Sequence, residues 1–161
     1  MDNMDFNKIW QNFVDQVTNH YMDFNGRMGR TQYWYYVLVA ILVGIAASIV
    51  GSFTLHIVST IVSLGLLLPN LGMTARRLQD TGRPGSWVFI LAIPFALSIL
   101  LGLVAVISGP FGALFFLLTL APLIALLSLG AAIAIIYLCV QPGQTEANQY
   151  GAVPPEWTPA K

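Results

Sequence analysis

Charge is missing from two long stretches of this chain. Residues Thr31 to Ala75 contain no Asp, Glu, Lys or Arg, and neither do residues Pro84 to Thr145. Between them sits Arg76-Arg77-Leu78-Gln79-Asp80-Thr81-Gly82-Arg83, and all seven Lys and Arg residues fall outside the two blocks. A helix crossing ~30 Å of hydrocarbon needs about 20 apolar residues at a rise of ~1.5 Å each. Each block is long enough for two crossings. A soluble helical bundle is excluded, because its helices need a polar face and neither block offers one. The 9% of charged residues and 57% of hydrophobic ones agree, since soluble domains carry about 25% charged residues.

The expected fold is an all-α integral membrane protein with four transmembrane helices in two hairpins, preceded by an amphipathic interfacial helix. The spans fall at about residues 34–53, 57–75, 87–107 and 114–140 within a membrane domain of residues 23–140. Thr54-Leu55-His56 makes the first turn, and Ser108-Gly109-Pro110-Phe111-Gly112 breaks the second block, since Gly and Pro punctuate helices. The N-terminal Met1-Asp2-Asn3-Met4-Asp5 has no basic region leading into an apolar stretch, so no signal peptide is expected. Four spans place Lys8, Arg27, Arg30, Arg76, Arg77, Arg83 and Lys161 on one side. By the positive-inside rule that side is cytoplasmic and holds both termini, with the bacterial inner membrane as the expected location.

Within residues 1–22, Phe6, Ile9, Trp10, Phe13, Val17 and Tyr21 recur at helical spacing, while Lys8, Gln11, Asn12, Asp15, Gln16 and Asn19 fill the other face. This pattern predicts an amphipathic helix on the cytoplasmic interface. Residues 141–161, with Pro142, Pro154, Pro155 and Pro159, read as an irregular cytoplasmic tail that frays at its end.

Two segments carry the polar chemistry. In Phe24-Asn25-Gly26-Arg27-Met28-Gly29-Arg30 the paired arginines offer a bidentate fork for a lipid phosphate, although arginines beside an aromatic belt serve more often as topology anchors. In the connector, Arg76 and Asp80 lie at i, i+4 and are expected to pair on one helical turn. Gly82 is placed as a C-cap and Pro84 as the helix stop. Asp80 is the only acidic residue between the blocks and the natural counter-ion of the arginines. It has no second carboxylate or His beside it to share acid–base work.

The spans are chemically quiet. His56, in the outer turn, is the one ionisable side chain of the blocks apart from the tyrosines and Cys139, whereas ionisable groups inside spans mark ion and proton pathways. Pro69-Asn70 and Pro122 are expected to kink their helices and free backbone carbonyls. Gly44, Ser48 and Ser52, and Gly130 with Ala134, form small-residue stripes that permit close contact within or between copies. Cys139 has no partner for a disulfide and no ligand-spaced companions, so no metal and no cofactor is expected. Zero net charge excludes a nucleic-acid partner. No catalytic motif is present, and the chain is not expected to be an enzyme.

Three segments together resemble one family. Phe24-Asn25-Gly26-Arg27-Met28-Gly29-Arg30-Thr31-Gln32-Tyr33-Trp34 is similar to the "F-x-G-R-x-x-R-x-x-Y-W" opening of the small bacterial inner-membrane proteins known as domain of unknown function 805. Arg76-Arg77-Leu78-Gln79-Asp80-Thr81-Gly82-Arg83 resembles their "R-R-L-H-D-x-G" connector, and Asn148-Gln149-Tyr150-Gly151 their closing "N-x-[YF]-G". Gln79 stands where the family usually has His, and Pro84 and Ser86 depart from its "G-[KR]-S-G-W-W". The resemblance implies a multi-span inner-membrane protein of no established activity.

All three segments fall on the cytoplasmic side, so Arg27, Arg30, Arg76, Arg77, Asp80, Arg83 and Asn148 form the candidate site, a polar cluster that is structural or holds a lipid headgroup. The expected function is structural, accessory or scaffolding. The expected partners are membrane lipids, anionic phospholipid among them, and a second copy or a larger membrane complex. The alternative is a small transporter or channel for a neutral solute. A membrane enzyme acting on lipid headgroups comes third.

Overall fold

Asp5 opens the first helix by accepting the Asn7 N–H on its side chain at 2.9 Å, one of the donors that a helix start leaves unsatisfied. The computed structural model describes residues 5–158, so Lys161 and Pro159 lie outside the described residues. Helix α1 covers Phe6–Thr18, α2 Arg30–Phe53, α3 Ile57–Asp80, α4 Phe89–Ile107, α5 Gly109–Phe115 and α6 Ala121–Val140. A 3-10 turn at Gly85–Val88 leads into α4, and a π turn at Phe116–Leu120 joins α5 to α6. No strand forms among the described residues, only an isolated bridge between Asn148 and Gly151.

Four helical stretches are long and apolar enough to cross a membrane: Arg30–Phe53, Ile57–Asp80, Gly85–Ile107 and Gly109–Val140. The bounds differ from the expected ones in informative ways. The second stretch runs to Asp80 rather than 75, because the charged side chains of its last turns are buried and partnered. The fourth begins at Gly109, whose φ of +76° turns the chain before Pro110 restarts a helix. Pro122 has no N–H to offer, and the π turn just before it absorbs the irregularity. The amphipathic segment forms a helix only over Phe6–Thr18.

The chain divides into two compact units. Residues up to Gly85 together with those from Pro142 onward form one, and Ser86–Gln141 form the other. In the second, α4 packs on α6, with Ala105, Ile124, Ala131, Ile135 and Cys139 buried.

The first unit holds the site. Its α2 packs along α3, and α1 packs on both. Leu55 and His56 adopt positive φ in the turn between α2 and α3, where the His56 N–H donates to the Gly51 carbonyl at 2.8 Å. A Cβ on Gly51 would meet Ser59 Oγ at 2.7 Å, so glycine there lets α2 and α3 come together closely at the turn. At its far end, α3 is buried from Gly72 through Asp80. That burial is why Thr74, Arg76, Arg77, Gln79 and Asp80 find partners within the protein, with Arg76 Nε and Gln79 Oε1 left unpaired among the described residues.

The face that α1 turns inward corrects the sequence pattern. Ile9, Asn12, Phe13 and Gln16 are buried, whereas Phe6 and Trp10 are exposed. The amides of Asn12 and Gln32 explain this: Gln32 Nε2 donates to Asn12 Oδ1 at 3.0 Å, and Asn12 Nδ2 donates to the Gln32 carbonyl at 3.3 Å. Phe13 stacks on Tyr36 with ring centroids 5.5 Å apart.

Candidate functional site

The end of α3 is made by glycine. Gly82 sits at φ +80°, its N–H donates to the Gln79 carbonyl at 3.0 Å, and the Arg83 N–H donates to the Leu78 carbonyl at 3.0 Å. This is the Schellman pattern of two bonds that cap the last carbonyls of a helix. It leaves Asp80 on the final turn, with its carboxylate pointing into the base of the unit.

Both oxygens of Asp80 are taken. Oδ1 accepts from Arg27 Nε at 3.0 Å and lies 3.0 Å from Nη2, while Oδ2 accepts from Arg77 Nη1. The three side chains are 1%, 0% and 4% exposed for Arg27, Arg77 and Asp80. Two guanidiniums against one carboxylate leave an excess positive charge, which backbone carbonyls absorb. Arg27 donates to the carbonyls of Gln144 at 2.5 Å, Glu146 at 2.7 Å and Gly151 at 3.4 Å. Arg77 donates to that of Met28 at 3.3 Å. Only the planar, five-donor fork of arginine can bridge a carboxylate and several carbonyls at once.

The loop motifs supply those carbonyls. Asn148 Oδ1 accepts the Tyr150 N–H at 2.9 Å, and Asn148 and Gly151 exchange two backbone bonds of 3.0 Å. This Asx turn, with Gly151 at φ +135°, aims the Gly151 carbonyl at Arg27. The Asn148 amide also donates to the Gln79 carbonyl at 2.9 Å and to Gln144 Oε1 at 2.8 Å. Gly26 turns at φ +107°, Gln79 Nε2 donates to the Phe24 carbonyl at 3.0 Å, and the Met28 N–H donates to that of Arg76 at 3.2 Å. Arg27, Arg77, Asp80 and Asn148 are thus drawn into one buried clamp.

The other three candidates stand elsewhere. Arg76 does not pair with Asp80 as its i, i+4 spacing predicts; its Nη2 donates to Gln16 Oε1 at 2.6 Å, and its Nη1 lies 3.7 Å from Asp23. The packing of α3 turns Arg76 toward α1, while Arg77 meets Asp80 three residues on along the same helix. Arg83 joins the helix cap through its backbone, with its side chain half-buried outside the set that grips Asp80. Arg30 is exposed at the start of α2. There it lines a groove of about 260 Å³ with Gln32, Glu156 and Trp157, and the same groove is bordered by Asp80, Gly143 and Gln144 of the clamp.

Gly143 and Gln144 also belong to the clamp, and nothing in their local sequence marks them. A Cβ on Gly143 would collide with the Asp80 carboxylate, and the Gln144 N–H donates to the Asp80 carbonyl at 2.9 Å. No group of three His, Cys, Asp or Glu side chains that could hold a metal occurs among the described residues.

Comparison with known proteins agrees with the motifs. The family model described as "Protein of unknown function (DUF805)" matches residues 21–152. "Inner membrane protein YhaI" of Escherichia coli strain K12 is 33% identical over 82 residues, covering 49% of this chain and 70% of that protein. "Inner membrane protein YhaH" of the same strain is 32% identical over 87 residues, covering 50% of this chain and 72% of that protein. No solved structure matches.

Proposed function

The chain belongs to the DUF805 family, and from that premise we propose that it is a structural or accessory component of the inner membrane. On this reading its buried clamp builds a rigid cytoplasmic base. One observation carries the proposal: both oxygens of Asp80 and the forks of Arg27 and Arg77 are engaged inside the protein. Both carboxylate oxygens are spent on the arginines, and the arginines have little left to offer a phosphate. Their work is to join three distant segments, residues 23–28, 72–80 and 142–151, into one body.

The positive-inside rule assigns this base and both termini to the cytoplasm. In this arrangement α2 with α3, and α4 with α6, form two membrane hairpins. Helix α1 rests at the interface with Phe6, Trp10 and Val14, exposed at i, i+4 and i+8, turned toward lipid. Headgroup recognition then falls to the exposed Arg30, in a groove that borders the clamp at Asp80 and Gly143, rather than to the engaged Arg27 and Arg77.

Isolation from native membranes in mild detergent, with bound proteins and lipids identified together, tests the proposal. A co-purifying membrane protein that is lost when Arg27→Ala loosens the base supports the accessory role. A chain that purifies alone, with no retained anionic phospholipid, argues against both the accessory role and the headgroup site.

A second reading, a small transporter or channel for a neutral solute, draws on the unit containing α4–α6. Its π turn at Phe116–Leu120 beside Pro122 is a backbone irregularity of a kind frequent at functional sites. Solute flux in proteoliposomes above that of protein-free vesicles distinguishes it from the structural role.

A further inference from the structure

Asn70 breaks the pattern of its surroundings. It follows the buried Pro69 and precedes the buried run Gly72–Asp80, yet it is exposed. The buried Tyr36 donates its hydroxyl to Asn70 Oδ1 at 2.8 Å, which fixes the amide with Nδ2 pointing outward. Thr74 Oγ1 donates to the Asn70 carbonyl at 2.8 Å and lies 3.4 Å from the Tyr33 hydroxyl. No protein acceptor meets Asn70 Nδ2 among the described residues.

These groups form one wall of a cavity of about 200 Å³, whose other wall is Val37, Ala40 and Ile41. Val37 and Ile41 also line an adjoining apolar groove of about 340 Å³ with Trp34 and Leu38. The depth is telling. Outward of Asn70 and Tyr36, α3 and α2 expose Leu67, Leu64 and Ile61, and Leu38, Leu42 and Ile45; toward Asp80, α3 is buried. Asn70 therefore stands at the edge of the lipid-facing band, roughly 15 Å along α3 from Asp80 at ~1.5 Å per residue.

An amide N–H turned to hydrocarbon is strongly disfavoured without an acceptor. Phospholipid esters present acceptors and no donors at this depth, above chains that suit an apolar groove. We propose that the cavity binds a diacyl phospholipid, with an ester carbonyl oxygen accepting from Asn70 Nδ2 and an acyl chain lying along Val37 and Ile41. This site is separate from the clamp and does not depend on the accessory role.

Native mass spectrometry of the full chain, loaded with a diacyl phosphatidylglycerol, tests the site. Asn70→Leu, which removes both donors, is expected to lower lipid retention roughly tenfold, the equivalent of one hydrogen bond. The ether-linked analogue, which keeps the phosphate and lacks ester carbonyls, is expected to show the same loss on the wild-type chain. Equal retention of the ether lipid, or no effect of Asn70→Leu, overturns the proposal. A photo-crosslinking amino acid at the exposed Ile41 reads the occupant without touching the polar wall. Lipid adducts in native membranes support the site. A cross-link to a second copy or to residues 86–141 shows that a helix fills the cavity instead, and overturns it.

Discussion

The hydroxyl of Tyr21 donates to the carbonyl of Gly65 at 2.8 Å, four residues before Pro69. An uninterrupted helix gives that carbonyl the N–H of residue 69, and proline has none. Tyr21 thus repairs in trans the bond that Pro69 removes, and it fastens the segment after α1 to the side of α3. Tyr21→Phe is expected to cost about 1 kcal/mol, the net worth of one part-buried hydrogen bond. In a Pro69→Ala background the helix supplies its own donor, so the same change should cost much less. Thermal unfolding of the four proteins in detergent measures the coupling; equal costs in both backgrounds would remove this account of Tyr21.

Asp80→Asn keeps the shape of the clamp and removes its one negative charge. Arg27 and Arg77 then stay buried without a counter-ion, a loss worth about 3–5 kcal/mol for broken buried pairs. The expected outcome is a lower unfolding temperature and rapid proteolysis within residues 142–158. Wild-type behaviour in both assays would mean that the clamp does not hold the base together.

Gly143 is predicted to be as sensitive as the charges. Alanine there drives a Cβ into the Asp80 carboxylate, which two arginines prevent from moving aside. Gly143→Ala should therefore free the tail to protease. Gly44→Ala, where a Cβ meets nothing within 4 Å, serves as the neutral comparison. Matching digestion patterns for the two variants would contradict the packing.

If α1 rests on lipid, Trp10 is reached by quenchers near the headgroups. Phospholipid brominated high on the acyl chain should quench the wild-type protein more than Trp10→Phe in liposomes. Because Trp10 is 53% exposed, the substitution should barely change the unfolding temperature. Indistinguishable quenching of the two would place α1 away from the bilayer.

The sequence disclosed features that depend on composition or on near neighbours. Four apolar helices follow from the absence of charge over residues 31–75 and 84–145, and the end of α3 follows from Gly82 and Pro84, whose effects are local. Partnerships set by the rotation of one helix against another stayed hidden. Arg77 pairs with Asp80 at i, i+3 within α3, a spacing as local as the i, i+4 one expected for Arg76, whereas the packing of α3 against α1 is what takes Arg76 to Gln16. Asn12 and Gln16 look like solvent-facing residues because hydropathy ignores hydrogen bonds that complete a buried amide. Gly143 is silent for a related reason, as its role is to be absent from a space that a side chain distant in sequence occupies.

The partners of Arg27 also set an order of events during synthesis. Its three carbonyls lie 117, 119 and 124 residues further along the chain, beyond the last apolar helix. While the nascent protein is still on the ribosome, Arg27 and Arg77 can meet Asp80 and Arg77 can reach the Met28 carbonyl, but Arg27 has none of its three carbonyls. Those groups emerge only after helices α2 to α6 have been made. Closure of the clamp therefore waits for residues 144–151, and a chain ended before them keeps Arg27 short of every carbonyl that holds it.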